Sequence, residues 1–200
     1  MKNATATILN IVKEPDKILR GIAKEIPTDS IPTAPIQRLI DHMKDTLAAT
    51  PDGVGLAAPQ IGKPLQIFIV SEEAENIDRM EKMLIEKKNE PLSPEAELPQ
   101  KERWNYYVFI NPAVKNVSKR KLGRSEGCLS VPGKFGEVRR HEKITVEAYD
   151  ENGKKFTRGA ARFFARVLQH ELDHLQGTLF IDKAEKIFKS DNNGKKESRD

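Results

Sequence analysis

Residues 159–176, "GAARFFARVLQHELDHLQ", constrain the chain more than any other stretch, because they ask one helix both to bury an apolar surface and to present two histidines. Phe163, Phe164, Val167, Leu168, Leu172 and Leu175 recur at three- and four-residue spacing, which predicts an amphipathic helix over 159–176 that Gly177 ends. His170 and His174 lie four positions apart, hence one turn apart on one face, and both imidazoles can reach a single ion.

Elsewhere the pattern is mostly that of strands. Ile36, Leu39, Ile40, Met43 and Leu47 predict a further helix within 33–50, closed by Pro51. "LQIFIV" at 65–70 reads as a buried strand, and "YYVFI" at 106–110 as another, ended by Asn111-Pro112. "KITVEAYDENGKKFTR" reads as a hairpin that turns at Asn152-Gly153. Runs of strands with two separated helices and no regular βαβ alternation indicate an α+β fold, mostly antiparallel sheets packed around the helix that carries His170 and His174. We expect a single domain over 1–182 and a polar, flexible tail over 183–200. A polar insertion is expected at about 71–103, where acidic residues and Pro91, Pro94 and Pro99 accumulate and Ile77, Met80, Met83 and Leu84 suggest a short surface helix.

A chain of 200 residues buries a core without a structural metal, so a metal here is expected to be catalytic. Its 38% apolar and 32% charged content agrees with solvated extensions of that kind. The net charge of +4 is spread along the chain, and the denser run at 115–124, "KNVSKRKLGR", lacks interleaved aromatics. It reads as a solvated strand and turn, not as a DNA- or RNA-stacking surface. The lone cysteine excludes an intramolecular disulfide, and no apolar run reaches the length of a membrane span. The first residues lack a continuous apolar signal segment, so a cytoplasmic location is expected, with no membrane partner.

A mononuclear catalytic ion takes about three protein ligands and keeps one position open, so His170 and His174 need a third donor. In one class of zinc protease that donor is a histidine six positions after the second, where this chain has Phe180; in another it is a downstream glutamate, for which Glu185 and Glu197 lie in polar surroundings. Cys128, in "EGCLS", reads alone as a small buried hydrophobe. Beside Gly127, and with two histidines lacking a partner, it reads as the missing ligand. A Cys-His-His set with one open position is hydrolytic, since the ion lowers the pKa of its bound water. Glu171, next to His170, is then the natural general base and acid. In "GVGLAAPQIG" (53–62) no phosphate loop is present, because Lys63 is followed by Pro64, but the Gln60 amide can donate to a developing oxyanion. His42 and His141 read as surface or core residues. Two other functions stay open at this point. A metal-stapled binding module requires a closed four-ligand set, and an endopeptidase is opposed by Phe180 and Cys128.

Together "GVGLAAPQ", "EGCLS" and "QHELDH", in that order and at those separations, resemble the peptide deformylase family; the likeness runs from about Ile8 to Lys183 and includes "PDKILR" and "INP". The resemblance implies hydrolysis of the formyl group from the N-terminal formyl-methionine of nascent polypeptides, releasing formate as a metal-bound water attacks the formyl carbon. It implies Cys128, His170 and His174 as metal ligands, Glu171 as proton shuttle, and the Gln60 side chain and the Leu129 backbone N–H as oxyanion donors. It implies one divalent ion, Fe(II) in the usual case, with zinc, nickel or cobalt able to take its place. For the methionine pocket the candidates are Val54, Leu129, Phe163 and Val167, and the peptide backbone is expected to pair near Val54, Gly55 and Gly127. Two departures stand out: Phe135 lies where family members often carry a polar or basic residue, and the insertion resembles that of the family's larger forms. The basic-rich tail from Lys183 is expected to be a solvated end, with a weak, transient ribosome contact as the alternative.

Overall fold

The apolar run that reads as a buried strand is buried on both faces. The structure, a computed structural model, describes residues 6–77, 79, 104–190 and 196–197. In strand β2 (Ile67–Ser71) alternate side chains serve two different layers. Ile67 and Ile69 pack with Leu39, Ile40, Met43 and Leu47 of helix α1 (Ala34–Ala48), while Phe68 and Val70 pack with Phe164, Val167 and Leu168 of helix α2 (Arg162–Leu175). This double burial is why β2 reads as a continuous apolar run instead of an alternating one. The Phe68 ring stacks on Phe109 at 4.7 Å, and truncation of a side chain so enclosed typically costs about 3–5 kcal/mol.

β2 belongs to a five-stranded sheet in the order β1-β2-β3-β6-β7, completed by β1 (Gly55–Ala57), β3 (Tyr106–Val117), β6 (Lys143–Tyr149) and β7 (Lys155–Ala161). A second sheet, in the order β4-β5-β8-β9, comprises β4 (Lys121–Gly127), β5 (Lys134–His141), β8 (Lys186–Ser190) and β9 (Lys196–Glu197). All neighbouring strands within the two sheets run antiparallel. Helix α2 lies between the sheets, touching β1, β2, β6 and β7 on one side and β5 on the other. The fold is therefore α+β with α2 central, as the periodicities indicate. Among the described residues, no helix is long and apolar enough to cross a membrane.

Three boundaries differ from the sequence reading. β3 does not stop at Asn111-Pro112 but runs on to Val117, because the ladder shifts register between Ile110 and Ala113. That bulge accommodates a proline without an N–H. Asn111, at φ 49°, fills the gap by accepting from Ile26 N at 2.9 Å and donating to Ile26 O at 2.7 Å. Second, α2 begins at Arg162, since residues 159–161 complete β7; the chain turns sharply into the helix at Arg162, whose φ is 51°. Third, the expected flexible tail over 183–200 contains a strand: β8 pairs with β5, placing Phe188 opposite Phe135. Two apolar residues, Ile187 and Phe188, were too short a signal among lysines. Of the insertion expected at about 71–103, residues 73–77 are helical, and Met80, Met83 and Leu84 lie outside the described residues. The basic run at 115–124 does form the end of β3, a turn and β4.

Gly177 closes α2 in the left-handed region at φ 69°, and a Cβ there would lie 2.5 Å from the Arg20 carbonyl oxygen. Backbone leaves no room to yield. Gly177→Ala is therefore expected to lower unfolding free energy by about 1–3 kcal/mol through the backbone conformation, with the clash adding to it. Urea titration of the two proteins measures this, and a loss below about 0.5 kcal/mol would contradict the assignment.

Candidate active site

Three donor atoms from two elements meet at one end of α2. Its helical spacing sets His170 and His174 with ring centroids 5.0 Å apart. Cys128 arrives from the turn after β4, where Val131 N–H donates to the Cys128 carbonyl at 3.0 Å. Its Sγ lies 3.2 Å from His174 Nε2, and one donor atom from each of Cys128, His170 and His174 lies within 4.8 Å of the others. Bonds of about 2.0–2.1 Å to nitrogen and 2.3 Å to sulfur separate tetrahedral donors by roughly 3.3–3.6 Å, so this set fits one divalent ion. Among the described residues it is the only such cluster of three, and no fourth side-chain ligand completes it. The closed site that a metal-stapled module requires is not formed there.

Phe180, which stands where one protease class has a ligand, is buried with its ring 6.4 Å from His170. It walls the site without coordinating. Of the other histidines, His141 has Nδ1 2.6 Å from the Ser118 carbonyl oxygen, and neither it nor His42 joins the cluster.

The orientation of His170 comes from a residue that the sequence reading missed. Glu126, at the end of β4, has Oε2 3.1 Å from His170 Nδ1, which leaves Nε2 for the cluster. The same carboxylate accepts from Arg140 Nε and Nη2, each at 2.8 Å, and from Arg166 Nη1 at 2.5 Å. Burial would raise the Glu126 pKa, but hydrogen bonds from Arg140 and His170 outweigh it and hold the carboxyl well below the usual range. Arg140 also reaches Asp173 on α2, and Arg166 donates to the Val138 and Leu122 carbonyls. A signal was available: Glu126 precedes Cys128 by two residues, and strand periodicity puts such pairs on one face.

Glu171 is buried, and its Oε2 has no hydrogen-bond partner. Burial pushes its carboxyl up to about 7. A Cβ on Gly55 would lie 2.3 Å from Glu171 Oε1, so only glycine lets β1 approach this carboxylate. Burial also disfavours charge on His170, yet its hydrogen bonds with Cys128 and Glu126 outweigh this and hold its pKa well above the usual imidazole value. Burial, reinforced by His170, pushes His174 well below it.

Gln60 sits in the short helical turn Ala58–Ile61 that follows β1. Its Oε1 accepts from Ala57 N–H at 2.8 Å, which turns the NH2 toward Ser130 Oγ at 3.3 Å and Cys128 Sγ at 3.6 Å. The Leu129 carbonyl accepts from Lys13 Nζ at 2.5 Å, while its N–H donates to no acceptor among the described residues. A cavity of about 420 Å³ opens over these groups, lined among others by Val54, Gly55, Gly127, Phe163 and Val167. Every sequence-derived site residue except His174 lines this cavity, and His174 lies directly behind it against Cys128.

Comparison with known proteins gives one consistent likeness. Residues 8–190 match the sequence profile of the polypeptide deformylase family. Peptide deformylase 1 of Vibrio vulnificus (strain YJ016) is 39% identical over 175 residues, spanning 88% of this chain and 85% of that protein. The peptide deformylase of Pelagibacter ubique is 39% identical over 184 residues, 92% of this chain and 90% of that protein. Among solved structures, a class I type b peptide deformylase from Acinetobacter baumannii with bound Met-Ala-Ser aligns with a TM-score of 0.71 at 29% identity, covering 90% of this chain and 99% of that one. The Ehrlichia chaffeensis peptide deformylase aligns at 0.68 with 34% identity, covering 88% of each chain.

The contact between Glu126 and His170 has a measurable consequence. Glu126→Gln removes the charge that orients the imidazole and is expected to weaken divalent metal binding about 10- to 100-fold. Competition against a chromogenic chelator, on protein shown by circular dichroism to be folded, measures it. Unchanged affinity would mean that His170 is aimed without Glu126.

Proposed function

The chain belongs to the polypeptide deformylase family, and from that premise we propose how its residues divide the work of removing the formyl group from the N-terminal formyl-methionine of nascent polypeptides, releasing formate. Cys128, His170 and His174 hold one divalent ion, for which Fe(II) is our reading and zinc, nickel or cobalt are alternatives that the same donors accept. When bound, the ion supplies Lewis acidity and lowers the pKa of water.

The protein's own groups do the rest. Glu171 accepts the proton of the water that adds to the formyl carbon, then delivers it to the amide nitrogen as the C–N bond breaks. Formate and a free amine leave. The Gln60 NH2 and the Leu129 N–H donate to the oxyanion that the formyl oxygen becomes. Val54, Phe163 and Val167 receive the methionine side chain, and the peptide backbone runs past Gly55 and Gly127. What supports this reading above all is the meeting of Cys128 with His170 and His174 beside the buried, unpartnered carboxylate of Glu171.

The decisive assay is formate release from a formyl-Met peptide by anaerobically prepared, iron-loaded protein. We expect turnover by the native chain and a loss of at least about a hundredfold in Glu171→Gln with metal retained. In Cys128→Ser, metal itself should be lost. Turnover by Glu171→Gln at the native rate would remove that residue from the proton path.

The cytoplasm, where formylated chains emerge, is the location that goes with this reading, and a transient ribosome contact is its finer part. The basic-rich end is the candidate surface, because Lys183, Lys186 and Lys189 precede further lysines at 195 and 196. Deleting residues 191–200 leaves β8 in place and is expected to weaken cosedimentation with ribosomes at low salt. Identical cosedimentation would take residues 191–200 out of the proposal.

A further inference from the structure

We propose, on the deformylase reading, that Phe135 is a specificity-determining residue whose ring forms one wall of a subsite for the side chain directly after formyl-methionine, favouring apolar and aromatic residues there. Phe135 is 44% exposed and is the only large, exposed apolar side chain among the described residues that lines the cavity. Its neighbours explain its position. Phe135 lies opposite Gly127 of β4 on one side and opposite Phe188 of β8 on the other. Because Gly127 has no side chain, the ring leans across it toward the cleft: a Cβ at that position would lie 2.8 Å from Phe135 Cε1 and 3.1 Å from Cδ1. Phe188 itself is partly buried.

Strand geometry says which substrate residue meets it. In β4, Glu126 points inward, toward α2 and His170, so Gly127 belongs to the opposite, outward face, and its cross-strand partner Phe135 shares that face. The burial of β5 agrees, with Gly136, Val138 and Arg140 buried and Phe135 and Arg139 exposed. β4 is an outer strand of its sheet, and its end lines the cavity, so an extended peptide can continue that sheet. Its side chains then alternate between faces. Methionine points inward, toward Phe163 and Val167 on α2, and the next residue points outward, toward Phe135. The third points inward again.

The test is a steady-state comparison of formyl-Met-X-Ser peptides, with X as Gly, Asp, Leu or Phe, on native protein, Phe135→Ala and Phe135→Leu. For native protein the KM for X as Gly should exceed that for X as Phe by about three- to tenfold, the range that an aromatic contact supplies. In Phe135→Ala this ratio should fall toward one while the kcat ratio stays put, and Phe135→Leu should restore part of it for X as Leu. General damage to the sheet lowers all peptides together and cancels in the ratio. A native KM independent of X, or a ratio that survives in Phe135→Ala, overturns the proposal. A dependence confined to formyl-Met-Gly-X peptides also overturns it, by moving the contact to the third residue. If native, metal-loaded protein turns over none of these peptides, the deformylase reading fails first and this inference with it.

Discussion

One buried carboxylate holds the site to the fold. Glu126 is 6% exposed and Arg140 and Arg166 are each 4% exposed, so their ion pairs are not surface contacts of small value. Each charge has left water at a cost of several kcal/mol, and the cost is met only because nearly every donor and acceptor finds a partner. Glu126 comes from β4, Arg140 from β5, Arg166 and His170 from α2. A single group thus fixes the angle at which the second sheet lies on the helix and the direction in which one imidazole faces. An apolar core of equal volume could hold sheet to helix at least as tightly. It could not set the ring nitrogen that is left free for a ligand.

The second constraint is backbone proximity. The cleft lies between the outer strand β1 of one sheet and the outer strand β4 of the other, and each presents a glycine where it comes closest to something else. At Gly55 the neighbour is the Glu171 carboxylate, and at Gly127 it is the Phe135 ring. Neither glycine has a positive φ, so neither is there for a turn. They are there because side chains would occupy the cleft. On the proposed reading the substrate is recognised largely through its backbone and one end, and two outer strands that present glycine at the cleft would leave room for it.

Much of this was legible in the sequence where a signal had one cause. The periodicity of α2, the hairpin turning at Asn152-Gly153 and the continuous apolar run of β2 each reflect one burial pattern, and each appears in the structure. That Cys128, His170 and His174 would meet was legible for a chemical reason, since cysteine and histidine are scarce here and a set short of one ligand points to the sole cysteine. What could not be read had competing causes. Asn111-Pro112 looks like a strand end because proline lacks a donor, but a bulge and the Asn111 side chain keep the strand going. β8 is held by the partner strand β5, not by its own composition, and Lys186 and Lys189 on either side of its two apolar residues conceal it. Glu126 and its arginines look like ordinary surface charges in sequence; only the closure of the sheet over α2 buries them.

The site's dependence on that closure also runs in reverse. Cys128 belongs to the turn that follows β4 of the second sheet, His170 and His174 to α2, and Gln60 to the turn after β1, so no single element holds enough of the site to assemble it alone. In an unfolded chain Cys128 is separated by more than forty residues from either histidine, and closing such a loop for one ligand is costly. An ion held by these three residues, as proposed, would therefore favour the folded chain over the unfolded one, by about 2.7 kcal/mol when its free concentration is a hundred times the dissociation constant. The Glu126 network works in the same direction before any ion arrives, since it already draws β4, β5 and α2 together around His170. Preorganisation of the ligands and closure of the second sheet are then one process, and a substitution in the buried charge network disturbs both the site and the fold.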